Sequence, residues 1–160
     1  WSARMTPEQI GQMIDGAWAA YSAGDVDAFV EGFAPDMVYS DNASAETLHG
    51  RDAFKAYVVG WIQASSDGRI TPTRKIVSGN RAAVELHAEF THDRAPFYGV
   101  APSGARGVFD FAMFVDVADG KIVKVVAYYS PATIMQFLGI MGTLPSRPAD
   151  TVKPSGMDDS

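Results

Sequence analysis

The chain has 160 residues, 47% of them hydrophobic and 20% charged, which is the balance expected of one soluble globular domain with a real core. Its 13 basic and 19 acidic residues give a net charge of -6, and without a basic run neither nucleic acid nor an anionic membrane is an expected partner. The absence of cysteine excludes disulfides, thiolate nucleophiles and zinc-thiolate sites. No apolar run reaches the roughly 18 residues of a membrane helix, and no signal-peptide pattern is present, so a cytoplasmic protein is expected.

The first 64 residues predict three helices and one strand. Thr6 and Pro7 are typical of a helix start, and apolar residues at helical spacing then continue to near Gly24. Asp25 can cap a second short helix, which Pro35 ends because proline lacks a backbone donor and clashes with the preceding turn. The other elements predicted in this part are a strand at 37–42 and a helix at 51–64.

From Arg69 onward the apolar residues recur with a period of two. This pattern predicts strands at 69–78, 81–92, 105–117 and 121–129. Gly79-Asn80 and Asp119-Gly120 are hairpin signals between consecutive strands. Helices that come first and antiparallel strands that follow indicate an α+β fold in which the helices cover one face of a curved sheet.

The C-terminal part predicts a closing helix and then a tail. Residues 131–139 are compatible with a short helix, whereas the chain from Thr143 is rich in Pro, Ser and Asp. Such a segment has few core residues, so we expect one domain over 5–142 and a flexible polar tail over 143–160 that is mobile or draped over a partner subunit.

Several short motifs occur in an order that is typical of a known superfamily. They are Gly24 to Asp27, Phe33 to Asp36, His49 to Phe54, Phe90 to Gly104, Asp119 to Ile122 and Gln136 to Gly139. With these motifs, residues 8 to 140 resemble the nuclear transport factor two-like superfamily, and most of all its SnoaL-like polyketide cyclase branch. The resemblance implies a conical α+β barrel around one cavity, usually in a homodimer. Members of this superfamily turn over or bind small hydrophobic molecules without a cofactor.

A phenol and a carboxylate lie on one face of the predicted strand at 37–42. Side chains alternate along a strand, so Met37, Tyr39 and Asp41 share a face. Ketosteroid isomerases, which the chain resembles here, carry their general base at the position of Asp41. In limonene epoxide hydrolases the same strand holds water through a tyrosine, matching Tyr39, and an amide at the position of Asp41. A simpler interpretation is that Asp41 caps a turn at the end of its strand.

The catalytic patterns of these relatives are incomplete in this chain. The resemblance places Ala17 and Ala112 where ketosteroid isomerases carry the tyrosine and the protonated aspartate of the oxyanion hole, and Ser130 where limonene epoxide hydrolases carry an aspartate base. Asp110 lies two residues before Ala112, on the same strand face, and is a candidate for the acid. Its alternative role is that of a rim or interface charge.

Three histidines complete the set of polar candidates. On the strand from Arg81, His87 shares one face with Glu85 and Glu89, and the sequence leaves open which face lines the cavity. An inward His87 suits proton transfer because its ordinary pKa is about 6.5. His92 is a candidate for the pocket mouth, while His49 is expected to stabilise a turn. The histidines are too scattered for a metal site, and the sequence shows no phosphate-loop or dinucleotide pattern, so neither metal nor cofactor is predicted.

The chain carries more aromatic surface than a minimal core needs. Most of these rings are expected to pack, but a subset that lines the cavity would favour a planar or polycyclic ligand. Trp61, Tyr57 and Phe97 are the main candidates for substrate contact, together with Trp18 and Tyr128.

Together these features favour a cofactor-independent cyclase or isomerase that acts on a polyketide-like or other hydrophobic carbonyl compound. In this hypothesis Asp41 is the base, Tyr39 donates to the oxyanion, and Asp110 or His87 returns the proton. Two alternatives remain open: an enzyme that opens epoxides with two carboxylates, and a domain that binds a small molecule without catalysis.

Overall fold

A computed structural model describes residues 4–142, so the tail predicted at 143–160 lies outside the described residues. The elements in chain order are α1 (Pro7–Ser22), α2 (Val26–Glu31), β1 (Phe33–Asp41), β2 (Glu46–His49), α3 (Arg51–Ala64), β3 (Arg69–Ser78), β4 (Arg81–Thr91), β5 (Arg106–Ala118), β6 (Lys121–Tyr128) and α4 (Pro131–Phe137). No helix within residues 4–142 combines the length and the apolar character that crossing a membrane requires.

The six strands form one curved, unclosed sheet with the order β2-β1-β6-β5-β4-β3. All neighbours are antiparallel except β1 and β6, which run parallel. The helices α1, α2 and α3 pack on the concave inner face, where most of the hydrophobic core lies. The predicted α+β class is therefore confirmed.

The N-terminal helices begin where the sequence places their caps. The Thr6 hydroxyl accepts from the Gln9 amide, and the Gln9 side chain in turn accepts from the Thr6 amide, which satisfies two free donors of α1. Asp25 caps α2 by accepting one hydrogen bond from the amide of Ala28. The Asp25 cap fixes the start of α2 directly after the turn from α1.

Two features at the start of the sheet differ from the sequence prediction. The strand β1 begins at Phe33 and contains Pro35, because the pairing of β1 with β6 shifts between Phe33 and Val38 and leaves no ladder hydrogen bond for a proline to break. The strand β2 was not predicted, since its four residues are polar or partly exposed and do not alternate.

The alternation along β4 resolves which face of this strand points inward. Val84, Leu86 and Phe90 are buried against the helices, whereas His87 and its acidic neighbours lie on the outer face. The burial pattern of β5 follows the same rule, so the outer face carries the charged residues of both strands.

One end of the cavity is closed by a second, smaller core. The 92–105 loop, α4 and the end of α3 pack together there through Ala64, Phe97, Ile134 and Leu138. The indole of Trp61 lies beneath this cluster, at 4.3 Å from the ring centre of Phe97. The loop and α4 together form the cover of the interior.

Candidate active site

An aromatic cavity of about 60 Å³ lies between the inner face of the sheet and the helices α1 and α3. Its walls are rings and aliphatic side chains from seven elements and the segment after β6: Trp18, Tyr21, Tyr39, Phe54, Tyr57, Val58, Trp61, Ile70, Phe90, Phe109, Phe111, Met113, Ala127 and Tyr129. The volume is well below the roughly 300–1,000 Å³ of pockets for drug-sized ligands. A ligand larger than a few atoms therefore requires the cover to move.

Asp41 is buried at the end of β1, and its two carboxylate oxygens have different partners. Oδ1 accepts hydrogen bonds from the amides of Ala43 and Ser44, at 2.9 and 3.0 Å, and so closes the turn after the strand. Oδ2 accepts from the hydroxyls of Tyr129 at 2.6 Å and Tyr57 at 3.3 Å, both of which line the cavity. One carboxylate oxygen thus caps the turn, as the simpler interpretation expects, and the other is directed at the phenols, as the proposed role of a base requires.

The phenols around Asp41 remain protonated and act as donors. Burial is the main reason that the pKa values of Tyr39, Tyr57 and Tyr129 lie far above the ordinary value of about 10. The rings of Tyr39 and Tyr57 lie 5.3 Å apart. The cluster therefore offers several neutral O–H groups at the wall of an apolar space and one carboxylate bonded to two of them.

No cationic side chain neutralises this carboxylate within residues 4–142. None of the ion pairs between described residues includes Asp41, and no Lys, Arg or His lines the cavity. Within the same part of the chain, no three His, Asp or Glu side chains come together as a metal ion would require. The chemistry available at this position is proton transfer and hydrogen bonding.

Four of the sequence-derived site residues line the cavity, whereas Asp41 does not line it but bonds to the lining residues Tyr57 and Tyr129. Tyr39, Tyr57, Trp61 and Trp18 line it directly. Phe97 is buried one layer further out, in contact with Trp61, and belongs to the cover.

Asp110 and His87 do not reach the cavity, which corrects the expectation that either returns a proton there. They are register partners on the outer face of the sheet, where Asp110 is 81% exposed. His87 Nδ1 lies 2.7 Å from an Asp110 carboxylate oxygen, and this hydrogen bond, followed by one to Glu89, raises the pKa of His87. The physical reason for the error is that strand alternation assigns two faces without saying which one is covered.

Tyr128 and His92 also lie elsewhere than expected. Tyr128 is 45% exposed and packs edge-on against Phe114 on the outer face, whereas the next residue, Tyr129, points inward. His92 is buried under the loop and does not lie at the pocket mouth. Its Nε2 contacts the Ala95 carbonyl at 3.0 Å. Its Nδ1 has no hydrogen-bond partner among the described residues.

Sequence reasoning missed the tyrosine closest to Asp41. Tyr129 follows β6, on which Val125 and Ala127 are buried, so extending that alternation by two residues identifies it. The same rule applied to β5 identifies Phe109 and Phe111 as part of the wall. Tyr128 and Tyr129 are neighbours of the same residue type. Only the alternation of buried and exposed positions along β6 shows which of them points inward.

The fold and this site define a small α+β domain with an internal aromatic cavity. The model of the SnoaL-like domain matches residues 14–125, and the chain belongs to this family. No curated protein matches the chain in sequence.

Solved structures share the fold over most of their length. AclR, a candidate hydroxylase from Streptomyces galilaeus, superposes with a TM-score of 0.77 at 18% identity, over 88% of this chain and 91% of its own. A candidate SnoaL-like polyketide cyclase from Jannaschia sp. gives 0.71 at 18% identity, over 84% and 92%. A protein with a ketosteroid isomerase-like fold from Catenulispora acidiphila, in complex with trimethylamine, gives 0.66 at 20% identity, over 86% and 96%. At these identities the likeness is one of fold.

Proposed function

We propose that the protein is a cofactor-independent enzyme that isomerises or cyclises a small hydrophobic carbonyl compound of the polyketide type. The observation that carries this proposal is the Oδ2 atom of Asp41, which faces two protonated phenols at the wall of an aromatic cavity. Structural relatives that include candidate polyketide cyclases support the same class of substrate.

In the proposed mechanism, Asp41 is the base and a phenol is the oxyanion donor. The longer hydrogen bond, from Tyr57 at 3.3 Å, is the easier one for a substrate to replace. Oδ2 then accepts a proton from the carbon next to the carbonyl, and the electron pair moves onto the carbonyl oxygen. The Tyr57 or Tyr39 hydroxyl stabilises the resulting enolate by donating to it.

Asp41 gives back the proton that it accepts in either reaction. For isomerisation, protonated Asp41 returns its proton to a different carbon of the enolate. For ring closure, the enolate carbon attacks a second carbonyl of the same molecule, and the new alkoxide takes the proton from Asp41. The bond between Tyr129 and Asp41, at 2.6 Å, keeps the carboxylate oriented throughout.

The electrostatics of the cavity favour an uncharged substrate. A second anion next to Asp41 would find no cationic partner among the lining residues of the described chain. An apolar ring system with a keto group, by contrast, can stack on the aromatic wall and direct its oxygen at the phenols.

Replacement of Asp41 by Asn tests the mechanism. A panel of small β,γ-unsaturated ketones serves as the assay, because conjugation raises their ultraviolet absorbance. We expect Asp41→Asn to reduce turnover by about two orders of magnitude or more and to leave the fold intact, since the amide oxygen can still close the turn after β1. The matched control is Asp110→Asn on the outer face, for which turnover should not change. Equal activity of Asp41→Asn and wild type would remove Asp41 from the chemistry.

Ligand binding without catalysis is the second candidate. It is favoured by the small cavity and by the four donors that already occupy Asp41. A ligand that binds tightly, is recovered unchanged and is indifferent to Asp41→Asn would support this reading. Epoxide opening has less support, because Asp110, the proposed second carboxylate, lies on the opposite face of the sheet.

We also propose that two copies pair through the outer face of the sheet. Strand register places Ile76, Ala83, Phe114 and Val126 side by side across four strands. Ile76 and Phe114 are 66% and 47% exposed, and Tyr128 extends the row. An apolar row of this kind on an otherwise charged surface is typical of a contact between proteins.

A further inference from the structure

A tight hairpin turn forms part of the cover of the cavity, where Phe97 packs on Trp61 of the cavity wall. Phe97 and Val100 exchange both backbone hydrogen bonds, at 3.0 and 2.9 Å, and Tyr98 and Gly99 form the two-residue loop between them. Both central residues have positive φ angles, of 47° and 74°, as a type I′ turn requires.

Tyrosine is an unfavourable residue for the first central position of this turn. Left-handed backbone suits Gly, Asn and Asp, whereas a bulky side chain there is strained. The same chain contains the favourable version: Asp119 and Gly120 join β5 to β6 with φ angles of 50° and 73°. A bulky residue in a strained position is a reason to look for a role that its side chain performs.

The side chain of Tyr98 connects the cover to the phenol cluster. Its ring packs edge-on against Phe97 with centres 4.5 Å apart, and Phe97 lies on Trp61. Although Tyr98 is 56% exposed, burial of its phenol and then the charge of Asp41 raise its pKa. Together with the ring contacts to Phe97 and Trp61, this places Tyr98 on the side of the cover that faces the group around Asp41.

The hairpin is held at its base and free at its tip. The amides of Arg94 and Ala95 donate to the carbonyls of Ala64 and Gln63 at the end of α3, both at 3.2 Å. The tip, by contrast, is stabilised by the turn itself and by ring packing. A ligand that exceeds the cavity of about 60 Å³ can enter if the tip moves outward while the base stays in place.

We propose that Tyr98 is a ligand-contacting, specificity-determining residue that closes the mouth over the bound molecule and donates its hydroxyl to a ligand oxygen beside Tyr57. This proposal rests on the proposed function only in taking the cavity as the ligand site. It makes no assumption about the reaction that follows.

Binding of 2-naphthol, a fluorescent, uncharged, planar hydroxyaromatic compound, tests the role of Tyr98. We expect Tyr98→Phe to weaken binding by about 3- to 10-fold, because one hydrogen bond is lost while the ring remains. We expect Tyr98→Asn to weaken binding by about tenfold or more and to accelerate dissociation, because the ring is lost as well. Since Asn suits the left-handed backbone, Tyr98→Asn should also raise the midpoint of thermal unfolding by about 2–4 °C.

The turn at Asp119 supplies the matched controls. Asp119→Tyr places a tyrosine in the same kind of turn away from the cavity and should lower the thermal midpoint without changing naphthol affinity. Asp119→Asn should change neither quantity. Together they separate the cost of the turn from the contact with the ligand.

The proposal is overturned if Tyr98→Asn binds 2-naphthol at least as tightly as the wild type. It is also overturned if neither the wild type nor any variant binds 2-naphthol. A lower thermal midpoint of Tyr98→Asn with unchanged affinity would identify Tyr98 as a packing residue instead. Because the probe is not converted, this outcome is independent of the Asp41→Asn activity test, and the two proposals can fail separately.

Discussion

The two oxygens of Asp41 show how a single residue serves the fold and the site together. Oδ1 is used by the turn after β1, and Oδ2 by the phenols. A carboxylate that closes its own turn has little freedom to rotate, so Oδ2 is held toward Tyr129 and Tyr57. Such orientation is a requirement for a general base in an apolar cavity.

The phenol partners of Asp41 should contribute unequally to stability. Tyr129→Phe removes a hydrogen bond of 2.6 Å to a buried carboxylate and should lower the free energy of unfolding by about 1.5–3 kcal/mol. Tyr57→Phe removes one of 3.3 Å and should cost about 1 kcal/mol or less. Chemical denaturation of both variants measures the difference, and a larger loss for Tyr57→Phe would contradict this order.

At the scale of single residues, the sequence predicts which side chains share a strand face better than it predicts whether that face is buried. Alternation alone places Tyr39 and Asp41 on one face of β1, and both are buried. The same rule cannot say which face of β4 is covered by other elements. It places His87 and Leu86 on opposite faces, but it does not say which of the two faces is buried. Covering is decided by the helices on the concave side, which are distant in sequence.

At the scale of elements, the short helix α4 is located by a single glycine of β5. Gly107 faces Phe137, and a Cβ atom added at Gly107 would stand 2.6 Å from Cδ2 of that ring. The absence of a side chain at Gly107 is therefore what lets α4 lie against the sheet and complete the cover.

Gly107→Ala should displace α4 and lower the free energy of unfolding by about 1–3 kcal/mol, because the ring of Phe137 has to move. Gly60→Ala in α3 is the matched control: nothing lies within 4 Å of its added Cβ, and it should raise stability by about 0.5–1 kcal/mol through helix propensity. Denaturant titration of both variants checks the prediction. The prediction fails if the two substitutions change the free energy of unfolding in the same direction.

The elements that sequence reasoning predicts well are those with strong local signals. The helix start at Thr6 and Pro7 and the Asp-Gly turn at Asp119 both lie where they were expected. The strand β2 was missed because its four residues are stabilised by pairing with β1 rather than by their own pattern. Local chemistry fixes the ends of elements, while pairing partners come from the tertiary fold.

At the scale of the whole molecule, the two faces of the sheet have separate tasks. The concave face holds the cavity, and the outer face carries the apolar row at Ile76 and Phe114 among charged residues. This separation allows association to change without altering the site.

Phe114→Glu should convert a dimer into a monomer, because it places a charge in the centre of the proposed contact. We expect the dissociation constant, measured by sedimentation, to rise by about tenfold or more, with 2-naphthol affinity unchanged. Asp119→Asn, outside the row, serves as the control. A wild-type protein that sediments as a monomer at all concentrations would contradict the proposed pairing.

The parallel pairing of β1 with β6 has a consequence for how the chain reaches its native state. Asp41 and Tyr129 are separated by 88 positions, and the backbone bond from Asn42 to Ala127 spans nearly the same distance. Contacts of such long sequence separation carry a large loop-closure entropy and are slow to form. The carboxylate and its closest phenol therefore meet only after almost the entire domain has been synthesised, so the polar group of the candidate site forms after the last strand and not before it.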